Sequence, residues 1–305
     1  MTAAAISPIP LALVEEDLPE AARRFGDSFT RTGFAVVSGH GVPQAVIDDA
    51  LAEMKAWFGR PLEAKMAAHQ AGSGGARGYT PFGIETAKDA DVSDLKEFYH
   101  VGRELPAGHA YAPFMPANVW PADAPGFRAA ALALFDALEA AGQRILRAIA
   151  VHLGRAPDFF ADPVREGNSV LRLLHYPPVA PDAAGIRSGA HEDINVITLL
   201  LGAEEAGLQL LSRDGDWLDI TAPPGTLVCN IGDMLERLTG GTLPSTTHRV
   251  VNPSPERRHI PRYSTPFFLH FRPDYLIEPM IPREEMPPIT ANDFLLQRLR
   301  EIRLL

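Results

Sequence analysis

From about residue 166 onward the chain becomes a succession of short apolar or alternating runs: SVLRLLHY, HEDINVITLLL, GLQLLS, WLDI, TLVCNIG, STTHRVV and RYSTPFFLHF, parted by Pro, Gly and Asp. No helix intervenes to carry the chain back for parallel pairing, so these runs are expected to fold as an antiparallel sandwich or barrel. The first half has a different texture. Apolar and small residues recur at helical spacing from Glu16 to Thr30, RTGFAVVSGHGVP then reads as a short buried strand, and a second helix is expected from Pro43 to about Phe58. The clearest helix runs from Ala124 to Leu153. Apolar on several faces, it is expected to lie along a sheet. ITANDFLLQRLREIRLL, with Thr290 three residues before Asp293, reads as a C-terminal helix. Residues 71–83, AGSGGARGYTPFG, lack apolar periodicity and are expected to form a loop, with Gly72 to Gly83 as a candidate lid and Tyr79 and Phe82 as its contacts to a substrate. The predicted fold class is therefore mainly β with flanking helices.

Bulk properties exclude several kinds of partner. A formal net charge of -10 argues against nucleic acid or an anionic membrane, both of which select a basic surface. The start of the chain has no basic n-region, Pro8 and Pro10 interrupt its apolar stretch, and no run approaches the ~20 apolar residues that span a bilayer. With one cysteine, Cys229, no intrachain disulfide can form, and a cytoplasmic location is expected. The partner left is a small molecule, and oligomeric state has no sequence signature here.

Within the β-rich half, His191 and Asp193 stand on alternate residues, so a strand would turn both to one face and Glu192 to the other. His248 follows 55 residues after Asp193, in another β-prone run, with enough chain between for three strands. Two imidazoles and one carboxylate are the donor set that holds iron(II) while leaving three positions for chemistry. Fourteen residues beyond His248, Arg262 and Ser264 would share a face and offer a guanidinium and a hydroxyl to a carboxylate. His270 has the same parity and is expected to face the same cavity. His40, His69, His100, His109, His152, His175 and His259 have no ligand-like neighbour at strand spacing and are not expected to bind metal. The combination points to an iron-dependent oxygenase with a keto-acid cosubstrate.

These residues resemble the isopenicillin N synthase-like branch of the iron(II)/2-oxoglutarate oxygenases. HEDINVITLLL, GLQLL, WLDI, NIGDMLERLTGG, STTHRVV and RYSTPFF are similar to its catalytic core in order and spacing, and GFAVVSGHGVP, RGYTPFG, DLKEFYHVG and NVWP to its N-terminal region. The resemblance implies a distorted double-stranded β-helix, or jelly roll, at 166–275, an N-terminal region of the non-haem dioxygenase type at 1–165, and a helical extension at 276–305. It places the iron ligands at His191, Asp193 and His248 and the 2-oxoglutarate clamp at Arg262 and Ser264. Tyr176 matches a second cosubstrate contact and Phe268 a position against the organic substrate. Many plant members carry Asn two residues before that tyrosine; this chain has Leu174. Asn230 and Asp233 are expected to be structural. The implied activity couples decarboxylation of 2-oxoglutarate by O2 to oxidation of a small substrate through hydroxylation, desaturation or cyclisation.

Three other readings compete. An oxidase like isopenicillin N synthase would use the scaffold without 2-oxoglutarate. A zinc hydrolase would require a carboxylate base beside the metal, and Glu192 points the wrong way. A non-catalytic sensor of metal or carboxylate would be expected to have lost one of the five key side chains, and all five are present.

Overall fold

The computed structural model describes residues 3–302 apart from 5, 73, 86–92, 181–182 and 203–206. Helix α1 (Leu18–Thr32) begins where the Asp17 carboxylate accepts the Glu20 amide, a cap worth about 1 kcal/mol. It ends on Gly33 at φ 70°, a left-handed turn suited to glycine, and the chain passes at once into strand β1 (Phe34–Ser38). Helix α2 (Gln44–Phe58) follows, then β2 (Gly78–Thr80), β3 (Glu97–Gly102) and the 28-residue α3 (Pro125–His152). Proline at the first position of α3 costs no hydrogen bond. Strands β4 (Val170–Tyr176), β5 (Ser188–His191), β6 (Ile197–Leu201), β7 (Leu208–Leu211), β8 (Trp217–Ile220) and β9 (Thr226–Ile231) come next. After a short helix α4 (Asp233–Leu238), strands β10 (His248–Val250), β11 (Arg262–Ser264) and β12 (Phe267–Leu269) complete the core, and α5 (Ala291–Glu301) closes the described chain.

The strands form two main sheets. The larger runs β1-β9-β6-β12-β4-β3-β2, with the pair Ile9–Pro10 added beside β1 and β11 paired to β4; the smaller runs β8-β7-β10-β5, with the pair Ala3–Ala4 added beside β8. Core pairings are antiparallel, in a mainly β architecture consistent with a double-stranded β-helix. Alternation along the larger sheet separates two chemistries. Leu171, Leu173, Leu199, Cys229, Phe267 and Leu269 join the main core, where α1 and α3 pack with Phe25, Phe29, Leu134, Phe135, Leu138 and Ile145. At one end of the opposite face, Phe34, Val36 and Val228 meet Leu210 of the smaller sheet. The rest of that face mixes polar side chains with a small apolar cluster of Phe98, Leu174 and Tyr176, and holds the candidate site.

Most expected elements appear within two residues of their predicted ends; residues 303–305 of the C-terminal helix lie outside the described residues. Three expectations need correction. HEDINVITLLL is two strands rather than one, since β5 stops at His191 and β6 starts at Ile197. RYSTPFFLHF is interrupted at Pro266, which has no N–H for the ladder. Its register against β4 survives the interruption, because Arg262 pairs Tyr176 and Phe268 pairs Val170. Finally, the segment expected as a loop at 71–83, of which Ser73 lies outside the described residues, contains β2. There Gly78 and Thr80 pair with His100 and Phe98.

Candidate active site

His248 and His191 face each other on neighbouring antiparallel strands of the smaller sheet. Each ring is oriented by its own backbone: His191 Nδ1 lies 2.7 Å from the Gly189 carbonyl and His248 Nδ1 3.0 Å from that of Thr246. Donation through Nδ1–H leaves Nε2 of both rings with a lone pair, the form in which imidazole binds metal. Asp193 completes the group, with His191 Nε2 3.9 Å from Oδ1 and His248 Nε2 3.8 Å from Oδ2. One ligand atom from each residue lies within 4.8 Å of the others. Glu192 points away, accepting the Thr247 hydroxyl.

A strand does not bring Asp193 here. The chain turns after His191, and the turn is fastened by α4: the Asp233 amide donates to the Asp193 carbonyl at 2.7 Å, and the Met234 amide to the Ile194 and Asn195 carbonyls. Gly232 permits this approach, since a Cβ there would fall 2.2 Å from the Asn195 carbonyl oxygen. The carboxylate is held from the larger sheet, where Thr198 Oγ1 and Asn230 Nδ2 donate to Oδ2 at 2.6 and 2.8 Å. Burial pushes the Asp193 carboxyl upward, but the two imidazoles and these two donors outweigh it and leave its pKa lowered. Burial, then the neighbouring His248, lowers that of His191. The site thus brings together two imidazoles and one carboxylate, a donor set suited to iron(II). Asn230, expected to be structural, thus touches a candidate ligand directly; Asp233 acts through its backbone.

Across the cavity, β11 and β4 bring Arg262 opposite Tyr176 and Ser264 opposite Leu174. Arg262 is buried, its guanidinium carbon 5.1 Å from the Tyr176 ring centre. Leu174 packs against Phe98 and Tyr176, making this stretch of wall apolar. Phe268 and His270 keep the parity expected of them. The His270 Nδ1 lies 3.0 Å from the Phe268 carbonyl, and burial pushes the ring pKa down to about 4.

Tyr79 requires correction as a lid contact. It is 1% exposed on the helix-packed face, its hydroxyl donates to Glu97, and Trp57 packs edge-on against its ring. Phe82 is 49% exposed. Tyr99 is buried beside Trp57 and Phe127, and Arg103 is ion-paired with Glu139, so neither belongs to the site.

A network not anticipated from the sequence supports the first histidine. Lys96 Nζ lies 2.7 Å from Glu85 and 2.8 Å from Asp94, and donates to the Ser188 hydroxyl. Asp94 in turn accepts the Gly189 amide at 2.8 Å, and Gly189 orients His191. Similarity of DLKEFYHVG to a family segment was the available signal, without roles for its charged residues.

Known proteins share this architecture. The family described as the 2OG-Fe(II) oxygenase superfamily matches residues 167–271, and the one described as non-haem dioxygenase in morphine synthesis N-terminal matches residues 6–123. A 2-oxoglutarate-Fe(II) type oxidoreductase, hxnY of Emericella nidulans, is 33% identical over 292 residues, covering 88% of this chain and 80% of that protein. A solved 2OG-Fe(II) oxygenase family protein from Caulobacter crescentus is 55% identical with a TM-score of 0.90, covering 98% of this chain and 99% of that one. A full-length Neurospora crassa protein, solved in complex with alpha-KG and thymine, is 30% identical with a TM-score of 0.84 over 97% of this chain and 96% of its own.

Proposed function

The chain belongs to the 2OG-Fe(II) oxygenase superfamily, in its isopenicillin N synthase-like branch, and from that membership we propose that His191, Asp193 and His248 bind its iron. It is a dioxygenase using iron(II), 2-oxoglutarate and O2 on a small-molecule substrate. The observation that carries the assignment is the convergence of three ligand atoms within 4.8 Å, with both Nδ1 atoms already engaged. Bound iron supplies the redox chemistry by which O2 decarboxylates 2-oxoglutarate and a substrate C–H bond is oxidised.

The protein's own residues do the rest. Arg262 and Ser264 take the cosubstrate carboxylate remote from the metal, with Tyr176 alongside. Thr198 and Asn230 hold Asp193 against rotation, and Phe268 and His270 border the organic substrate. Residues 1–165 form the N-terminal region, 166–275 the jelly-roll core and 276–305 the extension, a division supported by the two family matches. The acidic balance and lone buried Cys229 support a cytoplasmic enzyme without a nucleic-acid or membrane partner; among the described residues no helix is long and apolar enough to cross a bilayer. The names of the relatives and the alpha-KG bound to the Neurospora crassa protein do not favour the oxidase or sensor readings.

Anaerobic addition of iron(II) and 2-oxoglutarate to metal-free protein is expected to give the visible charge-transfer band of the chelate. His191→Ala should abolish the band, and Arg262→Ala should raise the 2-oxoglutarate needed to produce it. Iron binding without a band would favour the oxidase, and no iron binding would remove the assignment.

A further inference from the structure

Beyond the metal and cosubstrate residues, the interior face of the larger sheet carries a second concentration of charge. Strands β3 and β4 pair His100 with Arg172 and Phe98 with Leu174, so alternation turns all four from the main core toward the cavity. The Arg172 guanidinium carbon lies 4.4 Å from the centre of Phe98 and 5.3 Å from that of Phe268. Its Nε donates to His100 Nε2 at 2.5 Å, while His100 Nδ1 lies 2.6 Å from the Gly75 carbonyl. A ring accepting at Nε2 and donating at Nδ1 is neutral. Burial, then Arg172, holds the His100 pKa well below its ordinary value.

Arg172 is thus oriented by a neutral ring and balanced only through a carboxylate that it shares with Lys96. Nη1 reaches Glu85 at 3.4 Å, while that carboxylate sits closer, at 2.7 Å, to Lys96. Nη2 makes no hydrogen bond among the described residues, and the side chain is 18% exposed. Near it Arg77 is 3% exposed; it donates to the Ala76 carbonyl and to Asn168, and its Nε has no hydrogen-bond partner among the described residues. Gly102 makes room for this guanidinium, because a Cβ there would fall 2.1 Å from Arg77 Cζ and no left-handed φ requires glycine. Among the described residues of this wall, Arg77, Lys96 and Arg172 stand with Glu85 and Asp94, while His100 and His270 are neutral and Asp193 belongs to the metal site beyond. A guanidinium edge without a hydrogen-bond partner in a largely buried wall favours an anion placed against it.

We infer that Arg172, with Arg77 reinforcing its field, anchors an anionic substrate: a small organic acid whose carboxylate meets the open edge of Arg172 and whose flat apolar body lies along Phe268. This deepens the reading of the cavity given above and rests on it. The subsite is separate from the cosubstrate clamp, since Arg172 stands four residues along β4 from Tyr176, about 13 Å at strand rise.

The test is calorimetric titration, under anaerobic conditions with iron(II) and saturating 2-oxoglutarate, of benzoate, phenylacetate and cinnamate against their amides. At least one acid is expected to bind tenfold or more tightly than its amide with the chelate band retained. Arg172→Gln should remove that preference, leaving amide binding and 2-oxoglutarate affinity unchanged. Arg172→Lys, which keeps the charge but not the fork, should retain the preference at several-fold lower affinity; it decides the matter if the glutamine variant does not fold. Acids that bind no better than amides in all three pairs, or a preference that survives Arg172→Gln, would overturn the inference. If the chelate band never forms, the iron and 2-oxoglutarate assignment fails instead, and the same titrations on metal-free protein still decide whether Arg172 selects acids.

Discussion

His191 and His248 meet across a single antiparallel pairing of the smaller sheet, ring centres 4.4 Å apart, and each is turned by a carbonyl two residues earlier in its own chain. Both candidate imidazole ligands are therefore aimed by backbone carbonyls, that of Gly189 itself held through the Asp94 carboxylate, whereas the third ligand is gripped directly by side chains from the other sheet. Asp193 is held by Thr198 and Asn230 from the larger sheet, so the site bridges two layers that could otherwise shift relative to each other.

Removing those holders should loosen iron rather than abolish it. Asn230→Ala and Thr198→Ala are each expected to lower iron(II) affinity on the order of tenfold, within the range for loss of a partner that orients a metal ligand. Anaerobic titration measures this; affinities unchanged in both variants would mean that Asp193 needs neither donor.

At the cosubstrate end, the pairing of Ser264 with Leu174 gives the unusual leucine a defined consequence. Leu174→Asn should place an amide opposite the serine hydroxyl and lower the 2-oxoglutarate KM a few-fold. It should also lower stability by about 1–3 kcal/mol by placing a polar group against Phe98 and Tyr176. Arg262→Lys should act oppositely, raising the KM tenfold or more, because an ammonium cannot reproduce the bidentate fork. Steady-state KM values, read beside melting curves, separate the two effects.

The site was more legible in the sequence than the devices that hold it. His191, Asp193 and His248 were visible because metal donors are few in kind and their spacing survives folding. Even so, strand periodicity gave the right convergence for Asp193 through the wrong element, since a turn fastened by Gly232 and α4 does the work. Tyr79 was misplaced because glycines at 75 and 78 disguise β2, whose pairing with β3 only tertiary structure supplies. Lys96, Asp94, Glu85 and Arg172 were illegible for another reason. A charged residue in a β-prone run ordinarily reads as solvated, and these four become one buried network only after three separate segments close on each other.

The metal-free protein should lose stability in acid. His270 is 7% exposed with its pKa pushed down to about 4, whereas an unfolded histidine titrates near 6.5. Between those values the unfolded chain binds the proton and the folded one does not, so stability rises with pH across the window and falls as pH drops from about 6.5 to about 4. For this one group the integrated effect is roughly 3 kcal/mol. His270→Gln should flatten that part of the profile in urea unfolding at a series of pH values; a slope identical to that of the parent protein would assign the loss to other groups.

Asp94 tests whether the buried charges serve the metal or only the fold. Its carboxylate accepts the Gly189 amide and contacts Lys96, and the Gly189 carbonyl orients His191. Asp94→Ala would strand a backbone N–H and release the peptide that aims the imidazole. Asp94→Asn can keep the acceptor while removing the charge, and Glu85 still neutralises Lys96. The alanine variant is accordingly expected to bind iron(II) about tenfold more weakly, and the asparagine variant within about threefold of the parent. Equal losses in both would make the charge, not the hydrogen bond, responsible. A lowered melting temperature with unchanged iron affinity in the alanine variant would confine Asp94 to stabilising the fold.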